Sequence, residues 1–194
     1  MPPTAVKTVR DLIYWQYSKI ISESAGIGKH NYSFVMNRFR QLQQGDLYWN
    51  LIREYVTEKR DECIFCGARG QLTMDHLFPR ALRGPEDEKN IVWVCTNCNA
   101  SKGAKRLYQW WASKGGLKSA KYDVPRVAEG KYLKLLYETL DAKGLLDLDV
   151  NKLRADICPT CDLKGLCEAE ESRGELSPLC LDGVATLCFN GAKN

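Results

Sequence analysis

No apolar run in these 194 residues reaches the length that a bilayer-spanning helix needs. The opening MPPTAVKTVRDLIYWQ has neither the apolar core nor the small-residue cleavage site of a secretory leader. Together these absences predict an intracellular, cytoplasmic chain with no membrane partner. Internal repeats and low-complexity tracts are absent as well, so the chain is not an array of like units. Histidine is scarce, with only His30 and His76. His30 falls in the glycine-containing turn SAGIGKHN and is expected to be a solvated loop residue, which leaves His76 as the one imidazole in a chemically interesting setting.

Cysteine, by contrast, is abundant. Nine are present, in two groups: Cys63, Cys66, Cys95 and Cys98, then Cys158, Cys161, Cys167, Cys180 and Cys188. In a reducing compartment such groups point to metal rather than to disulfides. Hydrophobic content of 44% and charged content of 27% are ordinary for a globular protein, and the length suits one domain with appendages or two small domains. The net charge of +4 is unevenly spread: residues 1–60 carry +4, 61–103 carry −1, 104–157 carry +4 and 158–194 carry −3. Two basic arms flanking a near-neutral centre suit a polyanionic partner, although solvated helix faces give the same tally.

Apolar periodicity predicts helices over 4–24 (Val6, Val9, Ile13, Tyr17, Ile20), 32–44 (Phe34, Val35, Phe39, Leu42), 47–59, 104–116 and 127–143 (Tyr132, Leu133, Leu136, Tyr137, Leu140). Trp110 and Trp111 read as core plus half-covered surface rather than as a base-stacking platform. The expected organisation is an N-terminal helical region (1–60), a small cysteine-bearing centre (61–106), a second helical region (107–157) and a cysteine-rich metal-binding tail (158–194). The fold class is therefore mainly α with a small inserted zinc-stapled centre, α+β overall.

Cys63-Ile-Phe-Cys66 and Cys95-Thr-Asn-Cys98 are two Cys-x2-Cys knuckles 28 residues apart. Each turn puts two thiolates on one side of a tight bend, and two such turns complete a tetrahedral four-cysteine zinc site. A closed site has no open position, so this zinc is expected to be structural, pinning segments too small to make their own core. Between and after the knuckles the chain reads Asp75-His76-x-x-Pro79-Arg80, then Asn90-Ile-Val-Trp-Val-Cys95-x-x-Cys98-Asn99-x-x-Lys102-Gly. From Cys63 to about residue 106 this resembles the HNH nuclease family and its ββα-metal fold, in the H-N-N variant.

The resemblance implies a metal-dependent endonuclease acting on phosphodiester bonds, with DNA ahead of RNA as substrate. His76 takes the place of the general base, since a neutral imidazole accepts a proton at neutral pH. Asp75 and Asn99 take the places of ligands to a catalytic divalent metal. Their oxygens are hard donors suited to magnesium or manganese. Many members have a last histidine where this chain has Asn99. Asn90 matches the asparagine that holds the loop bearing the base, and Lys102 and Arg80 are candidates for phosphate contacts. Neighbours in a strand point to opposite faces. Asp75 and His76 are therefore expected at a strand's end, where both can reach one phosphate, with Asn99 in the first turn of the following helix. Nothing in this set reads bases, so targeting falls to the flanking arms or to a partner protein. The rival reading is a non-catalytic zinc module that binds nucleic acid or protein.

In the tail, Cys158, Cys161 and Cys167 follow a C-x2-C-x5-C spacing, with Cys180 further on. The spacing resembles the iron–sulphur staple of some RecB-like nucleases. Thiolates serve zinc and a [4Fe–4S] cluster equally well; a second zinc is slightly favoured, with Cys180 as fourth ligand and Cys188 spare. The tail is expected to be an appendage that the chemistry does not need.

Overall fold

In the computed structural model, which describes residues 4–46, 58–115, 123–169 and 176–190, helices dominate and the sheet is one antiparallel pair. The mainly helical α+β class is the one observed. In chain order the elements are α1 (Val9–Ser24), α2 (Tyr32–Gln44), β1 (Leu72–His76), β2 (Ile91–Cys95), α3 (Thr96–Lys102), α4 (Leu107–Ser113), α5 (Arg126–Ala142), α6 (Lys164–Ala169) and α7 (Pro178–Asn190). Single turns of 3-10 helix lie at Arg80–Leu82 and Cys158–Thr160, a helical turn at Val150–Lys152 and a π turn at Leu153–Ile157. The helix expected over 47–59 falls outside the described residues except for Glu58 and Lys59, which are not helical. Among the described residues no helix is long and apolar enough to cross a membrane.

Local chemistry sets the helix ends. Helix α1 begins at Val9 rather than near residue 4 because Thr8 and Asp11 form a reciprocal cap: the Thr8 hydroxyl accepts from the Asp11 N–H, and the Asp11 carboxylate accepts from the Thr8 N–H. Asn31 caps α2, which stops at Gly45 with a left-handed φ of 78°. Leu12, Ile13 and Tyr17 of α1, Phe39 of α2, and Tyr132, Leu133 and Leu136 of α5 are all fully buried. The core also includes Trp110 and Trp111, at 1% and 6% exposure, with Phe65 edge-on to Trp110 at 4.8 Å. Both tryptophans are core; neither is half-covered surface.

The C-terminal segment is built into the same core. Leu179, Leu181, Val184 and Ala185 of α7 are fully buried, so residues 176–190 are not an appendage. Arg106, 1% exposed, fastens the segment in place. Its guanidinium forks onto the Asp162 carboxylate and donates to the Thr186 hydroxyl and the Asp182 carbonyl. The Asp182 carboxylate accepts from the Gln109 N–H at 2.8 Å and the Tyr132 hydroxyl at 2.7 Å. Burial pushes that carboxyl up to about 7, against Tyr132, the Gln109 N–H and Arg106, which all favour the anion.

The cysteine-bearing centre is held to this frame from two sides. Lys131 of α5, itself buried, donates to the Ile91 carbonyl at 2.7 Å and to Glu58 at 2.6 Å. The Trp110 indole N–H donates to the Ser101 hydroxyl at 3.0 Å.

Candidate active site and metal centre

The first knuckle turns at Gly67, whose φ of 72° favours glycine, with Gly67 N–H donating to the Cys63 carbonyl at 2.8 Å. The Ile64 N–H donates to the Trp93 carbonyl at 3.0 Å, which seats this knuckle against β2. The second knuckle is the start of α3: the Cys95 thiol accepts from the Cys98 N–H at 3.4 Å. That N–H is the main reason the Cys95 thiol is held down at about 7, whereas burial pushes Cys66 and Cys98 up. All four sulphurs lie within 4.8 Å of one another, and those of Cys66 and Cys95 are 3.7 Å apart. Zinc–sulphur bonds of about 2.3 Å space tetrahedral thiolates by roughly 3.8 Å. The group fits a structural metal such as zinc.

Strands β1 and β2 pair in the register Leu72↔Cys95 to His76↔Ile91. Alternation puts Thr73 and Asp75 on the face shared with buried Val92 and Val94, and Met74, 60% exposed, on the other. Helix α3 packs against the hairpin so that its i, i+3 pair meets Thr73 and Asp75. Asn99 donates to the Thr73 hydroxyl at 3.1 Å, and Lys102 Nζ lies 3.1 Å from Asp75 Oδ2. The two groups form an ion pair between α3 and β1. Lys102 is fully buried and also donates to the His76 carbonyl at 2.6 Å. Burial lowers its pKa, and Asp75 opposes that. The ammonium sits behind the Asp75 carboxylate, not at a mouth where a phosphate arrives.

His76 ends β1, as expected, and Asn90 controls the loop that follows. The fully buried Asn90 carboxamide accepts from the Phe78 N–H at 2.8 Å and donates to the carbonyls of Phe78 and Pro85, each at 2.9 Å. The Leu77 N–H donates to the Asn90 carbonyl at 2.9 Å. Gly84 closes the loop so tightly that a Cβ there would lie 2.1 Å from the Phe78 carbonyl oxygen. Arg80 is exposed and paired with Glu86, whose other oxygen is 3.8 Å from His76 Nε2.

Sequence reasoning missed Glu86 and Thr73. Thr73 was findable, since it lies two positions before Asp75 on the same strand face. Glu86 was not, because only the loop path brings it to His76. His30 is 68% exposed, a loop residue with Asp123 at 3.6 Å.

One buried polar atom here, His76 Nε2, has no hydrogen-bond partner, with the Glu86 carboxylate at 3.8 Å, while Asp75 Oδ2 is ion-paired with Lys102. Such orphans are rare and call for a ligand or solvent. A carboxylate oxygen facing a helix that presents a carboxamide fits a hard divalent cation. In the tail, Cys158, Cys161, Cys167 and Cys180 line one cavity, and Cys188 is buried away from it.

A two-stranded antiparallel hairpin, a loop and a helix gathered around four thiols form a ββα centre. Residues 63–105 match the family model described as HNH endonuclease, a span that contains every element of that centre. No curated protein and no solved structure matches the chain.

Proposed function

We propose that the chain is an HNH-type endonuclease that hydrolyses phosphodiester bonds in DNA with a divalent metal and His76 as general base. The observation that carries this reading is Asp75 and His76 together at the end of β1, with His76 Nε2 buried and without a hydrogen-bond partner, inside the segment that matches the family. Asp75 and Asn99 would hold magnesium or manganese, which when bound neutralises charge building on the phosphate and the leaving oxygen.

The chain's own groups supply the rest. His76 Nε2 takes the proton of the attacking water, and the Glu86 carboxylate, 3.8 Å away, stabilises the imidazolium that results. Asn90 fixes the backbone after His76 and so sets the ring's direction of approach. Lys102 holds Asp75 from behind as a positioning charge. Arg80, exposed and paired with Glu86, would meet an incoming phosphate once that pair opens. The two basic regions flanking the centre supply attraction to the polyanion without reading sequence, and a partner protein would add targeting.

One feature favours a non-catalytic zinc module instead: Lys102 already neutralises the carboxylate meant for the metal. Supercoiled plasmid incubated with magnesium or manganese separates the two. The nuclease converts it to nicked or linear DNA, and chelation stops the conversion. Binding without any metal-dependent cleavage would support the module.

A further inference from the structure

We infer that Cys158, Cys161, Cys167 and Cys180 hold a [4Fe–4S] cluster. Among the described residues only the knuckle cysteines bring their ligand atoms within 4.8 Å of one another. The tail thiols do not converge in that way, yet all four face a single cavity of about 380 Å³. One zinc ion draws four thiolates onto itself and needs no room beyond its own bonds. A [4Fe–4S] core places each thiolate on a separate iron at a corner of a cube, so its four sulphurs stand well apart around an inorganic body. Thiols held apart around a void fit the second arrangement, in the same chain where thiols drawn together fit the first.

The elements around the void keep it open. Cys158 and Cys161 come from the 3-10 turn at Cys158–Thr160 and the residue after it, Cys167 from α6 and Cys180 from the first turn of α7. The Arg106 fork ties Asp162, next to Cys161, to Thr186 of α7, the helix that carries Cys180. Gly183, in the middle of α7, also lines the cavity. A Cβ there would lie 3.0 Å from Cys161 Sγ, tighter than side chains normally pack. Glycine inside a helix is unfavourable, and here its missing side chain preserves the space.

The walls suit the ligand too. Leu153, Ile157 and Leu179 make part of the wall apolar. Arg154 and Lys164 stand at the same wall, and a cluster with four thiolates is an anion. Cys188 lies outside the lining, which leaves four cysteines for four irons.

The test is metal and sulphide analysis of the full chain, purified without oxygen and then reconstituted with ferrous iron and sulphide. The expected protein is brown, with about four irons, about four acid-labile sulphides and about one zinc. Reduction with dithionite should give the electron paramagnetic signal of a reduced [4Fe–4S] centre. Cys167→Ser should lose most of the iron and keep its zinc; Gly183→Ala should retain iron less well than wild type. Colourless wild-type protein with about two zincs, or with one zinc and no iron after reconstitution, overturns the assignment whether or not the variants fold. None of these readouts depends on nuclease activity, so the cluster and the nuclease reading fail separately.

Discussion

The two cysteine groups use one kind of ligand and share the Cys-x2-Cys turn, yet the chain arranges them in opposite ways. In the centre, a glycine-turned knuckle and a helix start face each other across β2, and four sulphurs gather within 4.8 Å. In the tail, one such turn is joined by single cysteines from α6 and α7, and the four stand around a cavity. Spacing in sequence counts the ligands; the elements between them decide how far apart the sulphurs stand. The supports differ as well. The centre is short strands and loops around four thiols that fit a metal, whereas the tail segments are tied to one another through Arg106.

The largest effect should come from Cys95→Ser. Loss of the structural metal should unfold the centre, abolish cleavage and leave the helical frame folded, as seen by hydrogen exchange resolved along the chain. Full zinc content and activity in that variant would show that the knuckles do not form one site. Next comes Arg106→Met, aimed at the tail's independence from metal. It removes the donor to the Asp162 carboxylate, the Thr186 hydroxyl and the Asp182 carbonyl and should cost about 3 kcal/mol in denaturant unfolding. A loss under about 1 kcal/mol would mean the tail is held mainly by its ligand.

Asn90→Ala tests how the centre is braced. It leaves the Phe78 and Pro85 backbone groups without partners, so stability should fall by about 3 kcal/mol and cleavage should fall while zinc is retained. Unchanged cleavage would remove Asn90 from the positioning of His76. The smallest effect should come from Phe189→Ala. Phe189 of α7 lies 4.5 Å from Phe78 with the rings tilted, a direct contact between the tail and the loop after His76. About 1 kcal/mol of stability should be lost, with only a slight change in rate. A large drop in cleavage would instead couple the tail to the chemistry.

Much of the centre was legible because its signals are local. The knuckles, the Asp75-His76 pair and the Asn99-x-x-Lys102 ending each lie within one turn, strand or helix, with Asp75 and His76 at the end of β1 and Asn99 and Lys102 on α3. Asn90 was legible through family resemblance, but its three-bond brace is a property of the folded loop. The burial of Lys102 was not legible: a lysine three positions after Asn99 reads equally well as a phosphate contact until α3 is laid on β1. Glu86 and Phe189 were hidden for the same reason, since both depend on how distant segments meet. The tail read as an appendage because its cysteines and acidic charge stood out, while the apolar run in LCLDGVATLCF, which buries α7, was overlooked.

The most direct test of the central claim is the single-turnover rate of His76→Ala on a defined DNA duplex in magnesium, with zinc content and DNA affinity measured on the same sample. Removal of a general base should slow the chemical step by about 100- to 10,000-fold while zinc and binding stay at wild-type levels. A His76→Ala protein that still cleaves at close to the wild-type rate would contradict the account.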